Sequence, residues 1–170
     1  MEGPHDQAQI LYNHHRQKIK GFTSTILQNL ESQSSEHQFS IYNNLLEKFI
    51  NGTELINNIF HYLNMNTETK NRSELHSIKI THWNIWNEVI YNPLKTRLLD
   101  CFWNMIEKDE RNNTFTGEVK QFSDQMYLLS EDLYHSDLET KLISQASEFY
   151  KVIFIFVMIV QVLGIHYKSS

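Results

Sequence analysis

Cysteine is nearly missing from this chain: Cys101 stands alone, which excludes an intrachain disulfide and any cysteine-rich zinc site. Proline occurs twice and glycine five times. That is too little turn chemistry for a β-sandwich or a glycine-rich nucleotide loop, and it suits long helices with short connections. No basic block is present and the net charge is −5, so no nucleic-acid partner gripped through its phosphates is expected. The first nine residues, MEGPHDQAQ, are polar and carry no secretory signal. The Asn-x-Ser/Thr triplets that begin at Asn51, Asn71 and Asn112 are therefore read as chance matches, and a cytoplasmic or nuclear location is expected.

What is present belongs to a folded protein. Hydrophobic residues make up 41% of the chain and charged residues 21%, outside the range of disordered segments. The 170 residues suffice for one domain with its own core. Residues 1–9 are expected to be a flexible N-terminus, 10–150 a helical domain, and 151–170 an apolar C-terminal segment.

The hydrophobic spacing is that of helices. Residues 10–31 place Ile10, Leu11, Phe22, Ile26, Leu27 and Leu30 on one broad stripe, with His14, His15, Arg16, Lys18 and Lys20 on other faces. Gly21 weakens this helix. Ser32 to Glu36 is a polar break. Phe39, Tyr42, Leu45, Leu46 and Phe49 then recur at steps of three and four, and Asn51-Gly52 predicts a helix end. Thr53 is the expected N-cap of a third helix, 54–65, with Leu55, Ile56, Ile59, Phe60 and Leu63.

After a polar connector, Asn64 to Arg72, comes the longest pattern: Leu75, Ile78, His82, Trp86, Ile90, Leu94, Leu98, Phe102 and Met105. Its steps average close to the helical period. Pro93 predicts a kink or boundary near Asn92, because it lacks an N–H and crowds the preceding turn. Glu107 to Asn113 reads as a charged exit. Two further helices are expected, from Gly117 to Leu129 and from Asp132 to Tyr150. The fold class is all-α, an antiparallel helical bundle. Cys101, inside an apolar run, is expected to be a buried, inert thiol.

Residues 152–165 (VIFIFVMIVQVLGI) contain one polar residue and no charge. As a helix they would rise about 21 Å, short of the roughly 30 Å of a bilayer core. A core helix lacking its neighbour, an unstructured tail and a membrane anchor all stay open for this stretch.

Four short motifs in order resemble the N-terminal region of a cullin. They are Phe60-His61-Tyr62-Leu63-Asn64; Trp86-Asn87-Glu88-Val89-Ile90-Tyr91-Asn92-Pro93-Leu94; Met105-Ile106-Glu107-Lys108-Asp109-Glu110-Arg111-Asn112; and the spacing of Tyr134, Leu138-Glu139, Leu142 and Phe149-Tyr150. Residues 11–30 are similar more loosely.

The resemblance implies a non-catalytic scaffold of a cullin–RING ubiquitin ligase. It also implies a repeat of five helices whose tip holds a BTB/POZ-fold adaptor and, through it, a substrate receptor. On that resemblance the adaptor contacts are Tyr62, Asn58 and Leu63, with tyrosine supplying rigid area and a hydroxyl at an interface. The departures from the pattern are Met65 in place of an arginine, and an apolar stretch after Tyr150 unlike a second repeat. A second adaptor-contacting helix and the RING-binding domain are expected to be absent.

No cofactor and no metal are expected. His14 and His15 are adjacent, His76 and His82 are six apart, and no His-Glu-x-x-His occurs. Trp83, Trp86 and Trp103 read as core with satisfied indoles, not as a ligand cage. Glu107, Asp109 and Glu110 read as solvated surface, and no Gly-x-Ser-x-Gly elbow supports a hydrolase. Two other functions stay open at this level: a membrane-tethered helical adaptor attached through 152–165, and a cullin fragment without function.

Overall fold

The computed structural model describes residues 4–60, 78–112 and 117–162, all but a few of them helical. In chain order come α1 (Pro4–Glu31), α2 (Ser35–Ile59), α3 (Ile78–Trp86), a π-helical segment (Asn87–Tyr91), α4 (Asn92–Asn112), α5 (Gly117–Leu129), α6 (Glu131–Tyr134), a second π-helical segment (His135–Glu139) and α7 (Thr140–Val162). No strand occurs among the described residues. One compact unit ends at Leu129 and a second begins at Ser130.

In the first unit α2 is the central helix, with α1, α3, α4 and α5 packed around it. Its buried face repeats Phe39, Tyr42, Leu46 and Phe49, the stripe expected from the sequence. Side-chain links set the directions. Gln38 Nε2 donates to the Leu30 carbonyl at 2.8 Å at one end of α1 and α2, and His15 meets Phe60 at the other, so these two helices run antiparallel. Thr53 touches His82 while Phe49 and Tyr42 lie on Trp86, so α2 and α3 are antiparallel as well. Consequently α1 and α3 run side by side in the same direction, joined by His15–His82 and Lys20–Glu88.

The core is aromatic. Phe122 of α5 sits 5.0 Å from Phe39, 5.3 Å from Phe102 and 6.0 Å from Tyr42, centroid to centroid. Trp86 packs 4.6 Å from Phe49, and its indole N–H donates to the Tyr42 hydroxyl at 3.1 Å. Burial pushes that phenol well above its ordinary pKa, with the Trp86 hydrogen bond acting weakly against the shift. Tyr42 therefore stays neutral and serves as an acceptor at any ordinary pH. The three tryptophans differ: Trp86 and Trp103 are core residues, the latter against Phe102. Trp83 corrects one expectation, for its buried Nε1 has no partner among the described residues, and Lys79 lies 4.6 Å over its ring.

Several boundaries differ from those the sequence suggests. Helix α1 starts at Pro4, ahead of the apolar pattern. Its inward face is Tyr12, Thr23, Ile26 and Leu30, whereas Ile10, Leu11 and Phe22 are exposed. The buried Thr23 hydroxyl is satisfied within the helix, by the carbonyls of Ile19 and Lys20 at 3.0 Å, so a polar residue could take a core position. The helix end at Asn51-Gly52 does not occur, and Thr53 is not an N-cap: α2 passes through all three residues. A mid-helix glycine costs about 1 kcal/mol, and Phe49 and Thr53, both buried, anchor the helix on either side of it. Helix α4 likewise continues to Asn112, and Asp109 is buried rather than solvated. Cys101 is half-buried.

Around Pro93 the chain stays helical but changes type: the π-helical segment ends at Tyr91 and α4 begins at Asn92, where the sequence predicts a kink or boundary. Residues Ile78, His82, Trp86, Ile90, Leu94, Leu98 and Phe102 are all buried, so one apolar seam crosses α3 and α4. The turn just before the proline is widened instead: the Asn92 N–H donates to the Asn87 carbonyl, five residues back rather than four. Pro93 supplies no donor and needs room near the carbonyl of Val89, and the wide turn provides it.

In the second unit Ser130 caps α6, its hydroxyl accepting from the Leu133 N–H at 3.3 Å. His135 pairs with Glu131 and Glu139, both of which raise its pKa. Helix α7 carries exposed Ile143, Tyr150, Phe154, Ile155 and Met158. No helix of the described residues is long and apolar enough to cross a membrane.

Two measurements check this packing. Tyr42→Phe keeps the ring but removes the acceptor for Trp86, and should lower the unfolding free energy in urea by about 1–3 kcal/mol. Gly52→Ala should raise it by roughly 0.5–1 kcal/mol, because a Cβ there meets no atom within 4 Å.

Candidate functional site

A helix that is anchored on one side and apolar on the other offers a surface for another protein, and the C-terminal end of α2 has this form. Phe49 and Thr53 are buried and Ile56 is half-buried toward the bundle. On the opposite side Leu55 is 64% exposed and Ile59 70% exposed. These two lie one turn apart at i, i+4, with Asn58 also exposed. The cap at Phe60 closes the described part, its N–H donating to the Ile56 carbonyl at 2.9 Å. Glu54, next to the apolar pair, is tied to Lys79 of α3. Of the three residues expected to contact an adaptor, Asn58 is thus on the solvent side of α2. Tyr62 and Leu63 lie outside the described residues.

Beneath this surface lies a group that sequence reasoning did not find. His15 of α1 and His82 of α3 bring their Nε2 atoms to 2.7 Å, with rings stacked at 4.9 Å. His82 is 1% exposed, and its Nδ1 lies 3.0 Å from the Thr53 hydroxyl. Phe60 packs 5.4 Å from the His15 ring and Phe49 lies 5.8 Å from that of His82. Burial lowers both imidazole pKa values, that of His82 to about 4 with a smaller contribution from the charge on His15. One signal was legible: His82 keeps the apolar step between Ile78 and Trp86. The phase of α1, misread from Ile10 and Phe22, hid its partner.

Catalytic geometry was sought elsewhere in the described residues. No group of three or more metal-ligating side chains occurs among them. Between α2 and α5 an open groove of about 370 Å³ is lined by Glu47, Asn51, Lys120, Gln121 and Asp124 among others. Its charges are engaged at the surface: Gln121 Nε2 donates to Glu47 at 3.0 Å and Lys120 pairs with Asp124 at 2.5 Å. Below it, Gln125 Nε2 donates to the Asn43 carbonyl at 3.0 Å and Asn43 Nδ2 to that of Glu118 at 3.3 Å. These amides join α2 to α5, and both carboxylates of the groove are exposed to solvent.

Comparison with known proteins agrees with this architecture. The family model "Cullin: Cullin alpha solenoid domain" matches residues 1–154. Cullin-1 of Dictyostelium discoideum is 30% identical over 106 residues, which is 60% of this chain and 14% of that protein. The chain therefore corresponds to about one seventh of the length of this curated relative.

Substitutions distinguish surface from anchor. Leu55→Ser or Ile59→Ser should change the unfolding free energy by less than about 0.5 kcal/mol. Thr53→Val, nearly isosteric, leaves His82 Nδ1 without its partner and should cost about 1–3 kcal/mol, read from urea midpoints at pH 7.5.

Proposed function

Since the chain belongs to the cullin family, we propose that it is a non-catalytic docking scaffold in a cullin–RING ubiquitin ligase context. Its partner is an adaptor of the BTB/POZ fold, which carries a substrate receptor in turn. The observation that carries this reading is the exposed pair Leu55 and Ile59 on a helix fixed from behind by Phe49, Thr53 and His82. Such a surface buries apolar area on a partner without first having to be ordered, which reduces the entropic cost of binding. Tyr62, Asn58 and Leu63 are the contacts that the family resemblance adds. Tyrosine is enriched among the residues that carry most of an interface's binding energy.

The mechanism in this reading is positional. A bundle cross-linked by buried aromatic contacts holds the adaptor at a fixed distance from whatever else the assembly binds, and no bond is made or broken on this chain. No cofactor enters. The place of action is the cytoplasm or nucleus, where ubiquitin ligation and its substrates meet.

Affinity capture tests the reading. The tagged chain, immunoprecipitated from cells, should recover a BTB/POZ-fold adaptor. Tyr62→Ala and Leu55→Asp should each reduce recovery by about tenfold or more, corresponding to losses of about 1.4 kcal/mol and above. Failure of the unsubstituted chain to recover any adaptor of this fold overturns the proposal.

A further inference from the structure

Two imidazole nitrogens at 2.7 Å can share one proton and no more. In a neutral pair one Nε2 carries hydrogen and donates, while the other is bare and accepts. Both arrangements fit the third partner. If His82 carries hydrogen on Nδ1, it donates to the Thr53 hydroxyl and accepts from His15. If it carries hydrogen on Nε2, it donates to His15 and accepts from the Thr53 hydroxyl at Nδ1. One added proton leaves the Nε2–H···Nε2 bond in place, since it can go to a ring nitrogen outside the shared contact. With both rings protonated two N–H groups face each other, with no lone pair between them and two positive charges in a part-buried site.

Among the described residues no free carboxylate contacts the two rings. Among the described residues, the partners of the two rings are each other, Thr53, Phe49 and Phe60, all neutral. The charged groups nearest the two rings in sequence or through an ion pair are Arg16, Lys18 and Lys20 of α1, Glu54 of α2, Lys79 of α3 and Glu88 of the π-helical segment. Both carboxylates are already engaged, Glu88 by Lys20 at 2.7 Å and Glu54 by Lys79. The remaining charges on α1 near His15, Arg16 and Lys18, are cationic and would add to the repulsion.

We infer that His15 and His82 form a proton-sensitive latch that fastens α1 to α3 and α2 when neutral and releases α1 when both rings are protonated. The geometry makes the effect local. His15 is the α1 contribution, so the α1 contacts with α3 loosen first, while the aromatic cluster around Phe122, which has no titratable member at acid pH, keeps α2, α4 and α5 together. Phe60 rests on the same His15 ring. Release would therefore also remove the support behind the α2 end whose outer side carries Leu55 and Ile59, although the latch does not depend on what that side binds.

The sign follows from proton counting. A histidine in the unfolded chain titrates near 6.5, whereas His82 in the fold does so at about 4. Above pH 6.5 both states are neutral and the latch contributes fully. Between pH 6.5 and 4 the unfolded or released state binds more protons, so the folded-to-released ratio should fall by up to about tenfold per pH unit for each histidine.

The test uses the full chain between pH 7.5 and 4.5. Ring C–H resonances of His15 and His82, assigned by NMR, should titrate with midpoints below 6.5. Amide exchange, corrected for intrinsic rates, should accelerate in His15–Thr23 before it does in Val119–Met126. The double variant His15→Gln/His82→Gln retains a donor and an acceptor but cannot titrate, and its α1 amides should stay protected as pH falls. If that variant fails to fold, the midpoints and the exchange order in the unsubstituted chain decide alone. Midpoints at 6.5 or above, simultaneous loss of protection in α1 and α5, or a double variant as acid-sensitive as the parent would each overturn the latch.

Discussion

The rest of the first unit depends on the contact of Tyr42 with Trp86 and Phe122. At this point α2 meets two of its neighbours, through a hydrogen bond of 3.1 Å to α3 and ring packing onto α5. All three side chains are fully buried, so the indole N–H and the phenol oxygen had to find each other or remain unsatisfied at a cost of about 1–3 kcal/mol apiece. A bond with that alternative specifies register as well as strength. Once Tyr42 is placed, Phe49 falls on Trp86 and Thr53 on His82, about two and three helical turns along. The end of α2 that carries Leu55 and Ile59 is therefore positioned from a point about four turns away.

Where hydrophobic spacing alone decides the structure, it could be read directly. Helix α5 has the bounds expected for it, and the seam Ile78, His82, Trp86, Ile90, Leu94, Leu98 and Phe102 is buried throughout. Both succeed because their cores consist of large side chains at a regular period. Two expectations failed for a common reason, that a local signal was outweighed by a distant partner. Asn51-Gly52 is a good helix end in isolation, but Thr53 gains more by bonding His82 than the chain gains by turning there. His15 reads as a surface residue within α1, yet it faces a histidine 67 positions away. Pairings between polar residues leave no periodic trace, and the amides Asn43 and Gln125 were invisible for the same reason.

The proposed docking surface was legible to a different degree. Asn58, with Tyr62 and Leu63, was reached through a family resemblance. Leu55 and Ile59 read from the sequence as part of an apolar stripe, and their exposure is visible only in the structure, an exposed leucine being ordinary on a protein surface. The structure adds the rigid backing: one side of α2 is held by buried partners while the other is left apolar. Membership of the cullin family comes from the sequence match over residues 1–154 and the rigid backing from the structure, and the proposed docking surface combines the two.

The widened turn before Pro93 has a consequence for how such a chain can change over time. A π turn accommodates one residue more than an α turn of the same height, so it acts as a phase adjuster between two stretches of helix. Upstream and downstream segments can each keep the side-chain alignment that suits their own neighbours, and the mismatch is absorbed in Asn87–Tyr91. Loss of a single residue in that interval, together with the proline that favours the wide turn, would convert it to ordinary helix and leave both flanking alignments intact. The same loss one turn to either side would rotate the apolar seam by about 100° and expose half of it to water. Tolerance to a change in chain length is thus concentrated in five residues of an otherwise length-intolerant rod.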